Sequence, residues 1–171
     1  AAHAASTECV PAGAWVAPGA SGPPPVAGTE LLARLARQSV VLLGESHDSA
    51  EDHRWQLQTL AGLHVLRPRM VLAFEMFPRR SQPVLDRWVA GEYTEAQFLQ
   101  ALDWGRIWNF DPQLYLPILN FARMNRVPMV AVNVEQTLIR AVNANGLASV
   151  PAGQREGVTQ PSAPSAAYVD D

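Results

Sequence analysis

Short runs of apolar residues alternate along this chain with longer stretches in which apolar residues recur every three or four positions. Unbroken apolar runs are typical of strands buried on both faces. Three such runs are present, at Val40–Leu43, Met70–Phe74 and Met129–Val132. Strands that alternate with helices are joined by right-handed crossovers. The pattern therefore predicts an α/β fold with a mostly parallel β-sheet flanked by helices, together with a smaller helical region.

Residues that cap helices delimit the stretches with helical spacing. Ser49, followed three positions later by Asp52, predicts a helix from about Ala50 to Leu66. Pro117 should kink the helix that contains it or delay the start of that helix. The other predicted helices cover residues 29–37, 81–90, 94–102, 111–125 and 135–143.

The composition of the chain changes near both ends. Residues 1–28 are rich in Ala, Gly and Pro and predict a loop with one short edge strand at Trp15-Val16. Residues 29–150 carry the alternating pattern and form the predicted α/β domain. Residues 151–171 have no periodicity and predict a linker or the start of a further helical part.

Polar side chains follow each apolar run at the point where the predicted strand ends. Glu45 and His47 come just after the first run, Glu75 follows the second, and Asn133 and Glu135 follow the third. The carboxyl ends of parallel strands meet at one edge, where open α/β sheets bind ligands. We therefore expect Glu45, His47 and Glu75 to lie close together.

These side chains suit several kinds of chemistry. They could bind a divalent metal, act as general acid and base, or hold a polar ligand group against an imidazole. A purely structural role is the competing interpretation. His53, near the start of its helix, could face the same cleft. Phenolate suits ferric haem, but the residues alone do not choose among the three tyrosines, Tyr93, Tyr115 and Tyr168.

Aromatic residues are densest between positions 104 and 115. The cluster could pack between helices or form a wall for a flat macrocycle. Its members are Trp104, Trp108, Phe110 and Tyr115.

Composition and charge restrict the class of protein. The chain has 171 residues, 48% of them hydrophobic, and a formal net charge of -3. The absence of a basic stripe argues against nucleic acid as a partner, and no apolar run approaches the roughly 20 residues of a membrane span. The small residues of Ala1–Ser6 resemble a signal cleavage site, which predicts export by a removed signal peptide. Cys9, the single cysteine, cannot form an internal disulfide.

Several motifs together resemble the ChaN family, which shares a superfamily with the Tiki, TraB and erythromycin esterase proteins. The resemblance covers about residues 12–150. Gly-Glu-x-His alone would be weak, and its combination with Glu-Met-Phe at the next strand is specific. The matching positions are Val41–Asp48, His53, Gln56, Phe74–Phe77, Gln82, Leu85-Asp86, Trp104, Tyr115–Ile118 and Arg126–Asn133.

The resemblance implies a haem-binding protein of the bacterial envelope that assists haem and iron uptake and is often a lipoprotein. It implies ferric haem held by a tyrosinate, for which Tyr168 is the choice, and a histidine touching a propionate. On this basis the predicted haem contacts are His47, His53, Tyr115 and Tyr168. A homodimer and an outer-membrane haem receptor are the implied partners, and the location is periplasmic or associated with the outer membrane.

Two features of the resemblance matter for the site. Members of the family continue past the position of Asp171, so the chain looks truncated relative to them. Paired histidines are common in the family where this chain has Asp52-His53.

The alternative function is a metal-assisted hydrolase, which is suggested by the kinship of the family with esterases and peptidases. Its catalytic residues would be Glu45, His47 and Glu75. Whether the protein is an enzyme stays open.

Overall fold

A computed structural model describes residues 14–16 and 25–165. Within these residues, the structure has a two-stranded antiparallel sheet, β1-β2, and a two-stranded parallel sheet, β3-β4, together with seven helices. The parallel sheet flanked by helices confirms the predicted α/β class. The elements are β1 (Trp15–Val16), β2 (Pro25–Val26), α1 (Gly28–Leu35), α2 (Ala50–Leu66), β3 (Leu72–Pro78), α3 (Gln82–Ala90), α4 (Glu95–Leu102), α5 (Trp104–Ile107), α6 (Pro112–Met124), β4 (Met129–Asn133) and α7 (Gln136–Asn145).

The contacts divide the chain into two compact units. The first takes in the described residues up to Val71 together with Phe110–Val127, and the second takes in Leu72–Asn109 and the described residues from Pro128 onward. Among the described residues, no helix combines the length and apolar character required to span a membrane.

In the first unit, α2 packs on α6. The predicted N-cap of α2 is confirmed, since Ser49 Oγ accepts a hydrogen bond from the backbone N–H of Asp52 at 3.2 Å. Asp111 caps α6 in the same way. The helix runs through Pro117 from its first residue, Pro112, so the predicted delayed start is wrong. Burial of the neighbouring residues Leu116 and Ile118 stabilises a helix in which the proline removes one hydrogen bond.

The predicted strand at Val40–Leu43 is wrong: residues 40–46 are assigned to no strand. Alternate side chains are exposed, with Val40 72% and Leu42 89% accessible, so the segment is not buried on both faces. The side-chain amide of Gln56 in α2 donates to the Leu43 carbonyl oxygen at 3.1 Å. A run of apolar residues favours an extended backbone, but it does not specify a neighbouring strand.

In the second unit, β3 pairs with β4 in parallel, with Leu72 opposite Met129. The amide of Gln82, at the start of α3, bonds to β4 twice. Its Nε2 donates to the Met129 carbonyl oxygen at 2.8 Å, and its Oε1 accepts from the Ala131 N–H at 2.9 Å. The side chain thus makes the pair of bonds that a neighbouring strand would make, and it joins α3 to the sheet.

The residues predicted to end α3 and to begin α4 are confirmed in these roles. Gly91 ends α3 in the left-handed conformation, with φ of 81°. Thr94 and Gln97 form a capping box at the start of α4. Trp88 stacks on Phe98 with ring centroids 4.4 Å apart, and both are fully buried, so these helices share an aromatic core.

One strand end differs from the prediction and concerns a site residue. Strand β3 runs to Pro78, so Glu75 lies in the middle of the strand and not at its carboxyl end. The sequence Met76-Phe77-Pro78 continues the strand because all three residues are buried. The end of β4 at Asn133 is as predicted.

Candidate functional site

A tight turn at residues 46–49 connects the Gly-Glu-x-His segment to α2. The Ser49 N–H donates to the Ser46 carbonyl oxygen at 2.8 Å. The Ser46 N–H donates to Asp52 Oδ2, also at 2.8 Å. Asp52 therefore holds the turn with its carboxylate while its own N–H is bound by Ser49. This turn directs Glu45 and His47 towards the first turn of α2.

Glu45 lies at the centre of a cluster within the first unit. Its Oε1 is 2.8 Å from His47 Nδ1 and accepts a hydrogen bond from the Tyr115 hydroxyl at 3.0 Å. Its Oε2 is 3.0 Å from His53 Nδ1. One largely buried carboxylate thus contacts two imidazoles and a phenol.

The contact with Glu45 determines the tautomer of His47. Because a carboxylate only accepts hydrogen bonds, Nδ1 of His47 carries the hydrogen. In the neutral ring, Nε2 is then the nitrogen with the lone pair, which suits it to bind a metal ion or to accept a proton. The ring also packs edge-on against Phe110, with centroids 5.0 Å apart, and its side chain is 35% exposed. His47 is therefore oriented from one side and partly open to solvent.

His53 occupies a buried position behind this segment and is only 3% exposed. Its Nε2 donates to the His47 carbonyl oxygen at 3.2 Å, since a carbonyl can only accept. Nδ1 faces Glu45 Oε2 without the alignment of a hydrogen bond.

Tyr115 reaches the cluster from α6. Its hydroxyl donates to Glu45 Oε1 and also lies 3.3 Å from the His47 carbonyl oxygen. The residue is 3% exposed, and its ring lies edge-on to His53 at 4.3 Å between centroids. The phenol therefore fixes the carboxylate and is not presented to solvent.

A shallow cavity of about 240 Å³ adjoins the buried histidine, between the first turns of α2 and α6. Arg54 and Gln113 supply its polar groups, and Leu114 and Pro117 supply apolar ones. The Arg54 guanidinium bonds to the Ala50 carbonyl oxygen and to Glu51, so the helix itself holds this cation.

The polar residues predicted at the other strand ends belong to the second unit. Glu75 has an exposed side chain, and its carbonyl oxygen accepts from Asn133 Nδ2 at 2.7 Å. Glu135 forms an ion pair with Arg80. Asn133 and Glu135 thus have structural roles here. The expected approach of Glu75 to Glu45 and His47 stays a prediction.

Tyr168 and the aromatic residue Trp104 are two further residues that the sequence singles out. Tyr168, the predicted iron ligand, lies outside the described residues. Trp104 is buried edge-on to Phe77 in the second unit, with centroids 6.1 Å apart, which supports the packing interpretation for that residue. Among the residues that the structure describes, no three His, Cys, Asp or Glu side chains are arranged to hold a metal ion.

Two features of the structure have no direct sign in the local sequence pattern. The bond between Tyr115 and Glu45 joins residues far apart in the chain, and no local pattern indicates it. Gln56 bonds to the backbone of the segment before its helix, at Leu43, and Gln82 bonds to the backbone of β4, far along the chain. Both glutamines are among the positions that resemble the ChaN family, which was the only signal available for them.

Comparison with known proteins agrees with the motifs. A family model described as haem-binding uptake, Tiki superfamily, ChaN matches residues 31–171. No curated protein and no solved structure gives a significant match. Because the matched region covers most of the 171 residues, the chain belongs to the ChaN family of haem-binding uptake proteins in the Tiki superfamily.

Proposed function

We propose that the protein binds haem and assists haem and iron uptake, with His47 as the residue of the Glu45 cluster that contacts the cofactor. The family supports haem as the ligand. The observation that carries the assignment of His47 is its combination of fixed orientation and exposure: Glu45 holds Nδ1 while the side chain is 35% exposed. The other nitrogen, Nε2, is the atom through which the ring would meet a ligand.

The side chains of the cluster fit haem to different degrees. Haem brings an iron with axial positions for donor atoms and two propionate groups. His47 fits either contact: neutral, its Nε2 can bind iron, and protonated, it can donate to a propionate. Tyr115 does not fit as a direct iron ligand, because its hydroxyl is buried and donates to Glu45. His53 is equally enclosed. We assign both residues to positioning Glu45.

The finer features of this function rest on the resemblance to the family. They are haem in the ferric state, a tyrosinate ligand at Tyr168, a homodimer, and an outer-membrane receptor as the source of haem. An envelope location, periplasmic or anchored at the outer membrane as a lipoprotein, completes the proposal.

A haemin titration tests this proposal. Ferric haemin is added to the full chain, and the Soret band and the longer-wavelength charge-transfer bands are recorded. We expect saturable binding that His47→Ala weakens about tenfold, a loss of about 1.4 kcal/mol. His64→Ala is the matched control, because His64 lies near the end of α2 and packs on Phe121. Absence of saturable binding, or equal affinity in both variants, contradicts the proposal.

A second candidate function, a hydrolase, is favoured by the contact between Glu45 and His47. A carboxylate on Nδ1 leaves Nε2 to take a proton from water or from a nucleophile. The earlier hypothesis adds Glu75 and a divalent metal to this pair. Turnover of ester or peptide substrates that His47→Ala abolishes, with haemin affinity unchanged, would support the hydrolase. Absence of turnover with and without added divalent metals would contradict it.

A further inference from the structure

A second cavity, of about 420 Å³, lies in the second unit at the start of α3. Its polar lining comes from Arg80, Ser81, Asp103 and Arg106, and its apolar lining from Val84, Ala101 and Leu102. None of these residues belongs to the Glu45 cluster. The chemistry of this cavity therefore depends on a different set of residues.

Ser81 is the most informative residue of this lining. It stands at the N-cap position of α3, where serine usually accepts a hydrogen bond from the first turn, yet its hydroxyl makes no such bond. The residue is only 5% exposed, and it lines the cavity. Because Ser81 lines the cavity, its hydroxyl can donate a hydrogen bond to a bound group there.

The charges around Ser81 favour an anion. The first turn of α3 contributes the partial positive charge of a helix N-terminus, over a helix of nine residues. Arg80 and Arg106 add two guanidinium groups. Arg80 is partly compensated by its ion pair with Glu135. Arg106 is exposed, and its guanidinium lies 3.9 Å from Asp103 Oδ2.

Asp103 is the acidic residue of the lining, and its negative charge repels an anion. Its side chain is exposed, and its backbone adopts the left-handed conformation with φ of 55° at the end of α4. Asparagine adopts this conformation as readily as aspartate does. Removal of the charge at this position is therefore possible without strain, and it should change anion affinity in the direction opposite to the loss of an arginine.

We propose that this cavity is a binding site for a small oxyanion, a carboxylate or a phosphate group, held by the Ser81 hydroxyl, the start of α3 and the Arg106 guanidinium. The site goes beyond the proposed haem function, because it uses different residues and needs no haem. A bidentate contact from Arg106 would suit both groups. The ligand that carries the oxyanion is small, since the cavity is about 420 Å³.

A titration followed by NMR tests the site. The full chain, without haem, is titrated with sodium phosphate and separately with sodium acetate, with sodium chloride adjusted to keep ionic strength constant. We expect saturable shifts of the backbone amides of Ser81, Val84 and Leu102 with one of the two anions, and the responding anion identifies the group. Shifts that do not saturate, or that spread over exposed arginines throughout the chain, would overturn the proposal.

Variants make the test specific. We expect Arg106→Gln and Ser81→Ala each to weaken binding by about threefold to tenfold. Asp103→Asn should tighten it by a similar factor. Arg140→Gln is the control, because Arg140 is an exposed arginine of α7 outside the cavity. Arg106 is exposed, so its variant reports on binding even if Ser81→Ala lowers stability. Equal affinity in Arg106→Gln, Asp103→Asn and Arg140→Gln would refute the site.

Discussion

Tyr115 donates its phenolic hydrogen to Glu45 over 3.0 Å, although 70 positions separate the two residues in the chain. The bond joins α6 to the turn that precedes α2, and Glu45 in turn contacts both histidines of the cluster. The orientation of His47 therefore depends on residues from two parts of the chain. This dependence can be measured with substitutions that remove one contact at a time.

Replacement of Tyr115 by phenylalanine should lower the free energy of unfolding by about 1–2 kcal/mol. The substitution removes one hydrogen bond to a largely buried carboxylate and keeps the ring that packs on His53. Chemical denaturation of the full chain measures the change. Tyr93→Phe is the matched control, since the Tyr93 hydroxyl accepts from Arg87 at the surface. A loss in Tyr115→Phe no larger than in the control would contradict a role for this phenol in holding Glu45.

Replacement of Glu45 by glutamine should destabilise the protein by about 1–3 kcal/mol while preserving the size of the side chain. The two carboxylate oxygens face three groups, His47, His53 and Tyr115, and an amide offers only one oxygen as an acceptor. Nitrogen-15 NMR of the imidazole rings should also show a changed tautomer of His47, since the carboxylate that accepts from its Nδ1 is lost. Glu51→Gln, at an exposed position in the first turn of α2, should leave stability and ring signals unchanged. Unaltered ring signals in Glu45→Gln would exclude the proposed contacts.

Replacement of Gln82 by alanine should cost about 2 kcal/mol, because two bonds to β4 are lost together. Gln56→Ala should cost about half as much, since that amide makes one bond, to Leu43. Gln100→Ala, at an exposed helical position, serves as the control. Thermal and chemical unfolding should give the same order of the three variants, and a different order would contradict the role assigned to Gln82.

Local signals predicted much of the helical structure. Ser49, Thr94 and Asp111 begin helices through their own side chains, and Gly91 ends one through its backbone freedom, so these signals lie within a few positions of each helix end. The fold class was also predictable, because apolar runs alternate with helical stretches.

Features that depend on distant parts of the chain were not predictable. The run Val40–Leu43 favours an extended backbone, but a strand also requires a partner, and the structure assigns none to it. The apolar run predicts Glu75 at a strand end, because Glu75 is the first charged residue after that run. The buried residues Met76 and Phe77 extend the strand beyond it. The bond from the Tyr115 hydroxyl to Glu45 is likewise absent from the local pattern, and the haem contact of Tyr115 stays a prediction.

A double-mutant cycle in haemin affinity tests most directly whether Glu45 acts through His47. Haemin is titrated into the full chain and into Glu45→Gln, His47→Ala and the double variant. We predict saturable binding to the unmodified chain, weaker binding to each single variant, and a double variant that binds as His47→Ala does, because Glu45 has no imidazole left to orient. Additive losses in the double variant, or no saturable binding to the unmodified chain, would contradict this account.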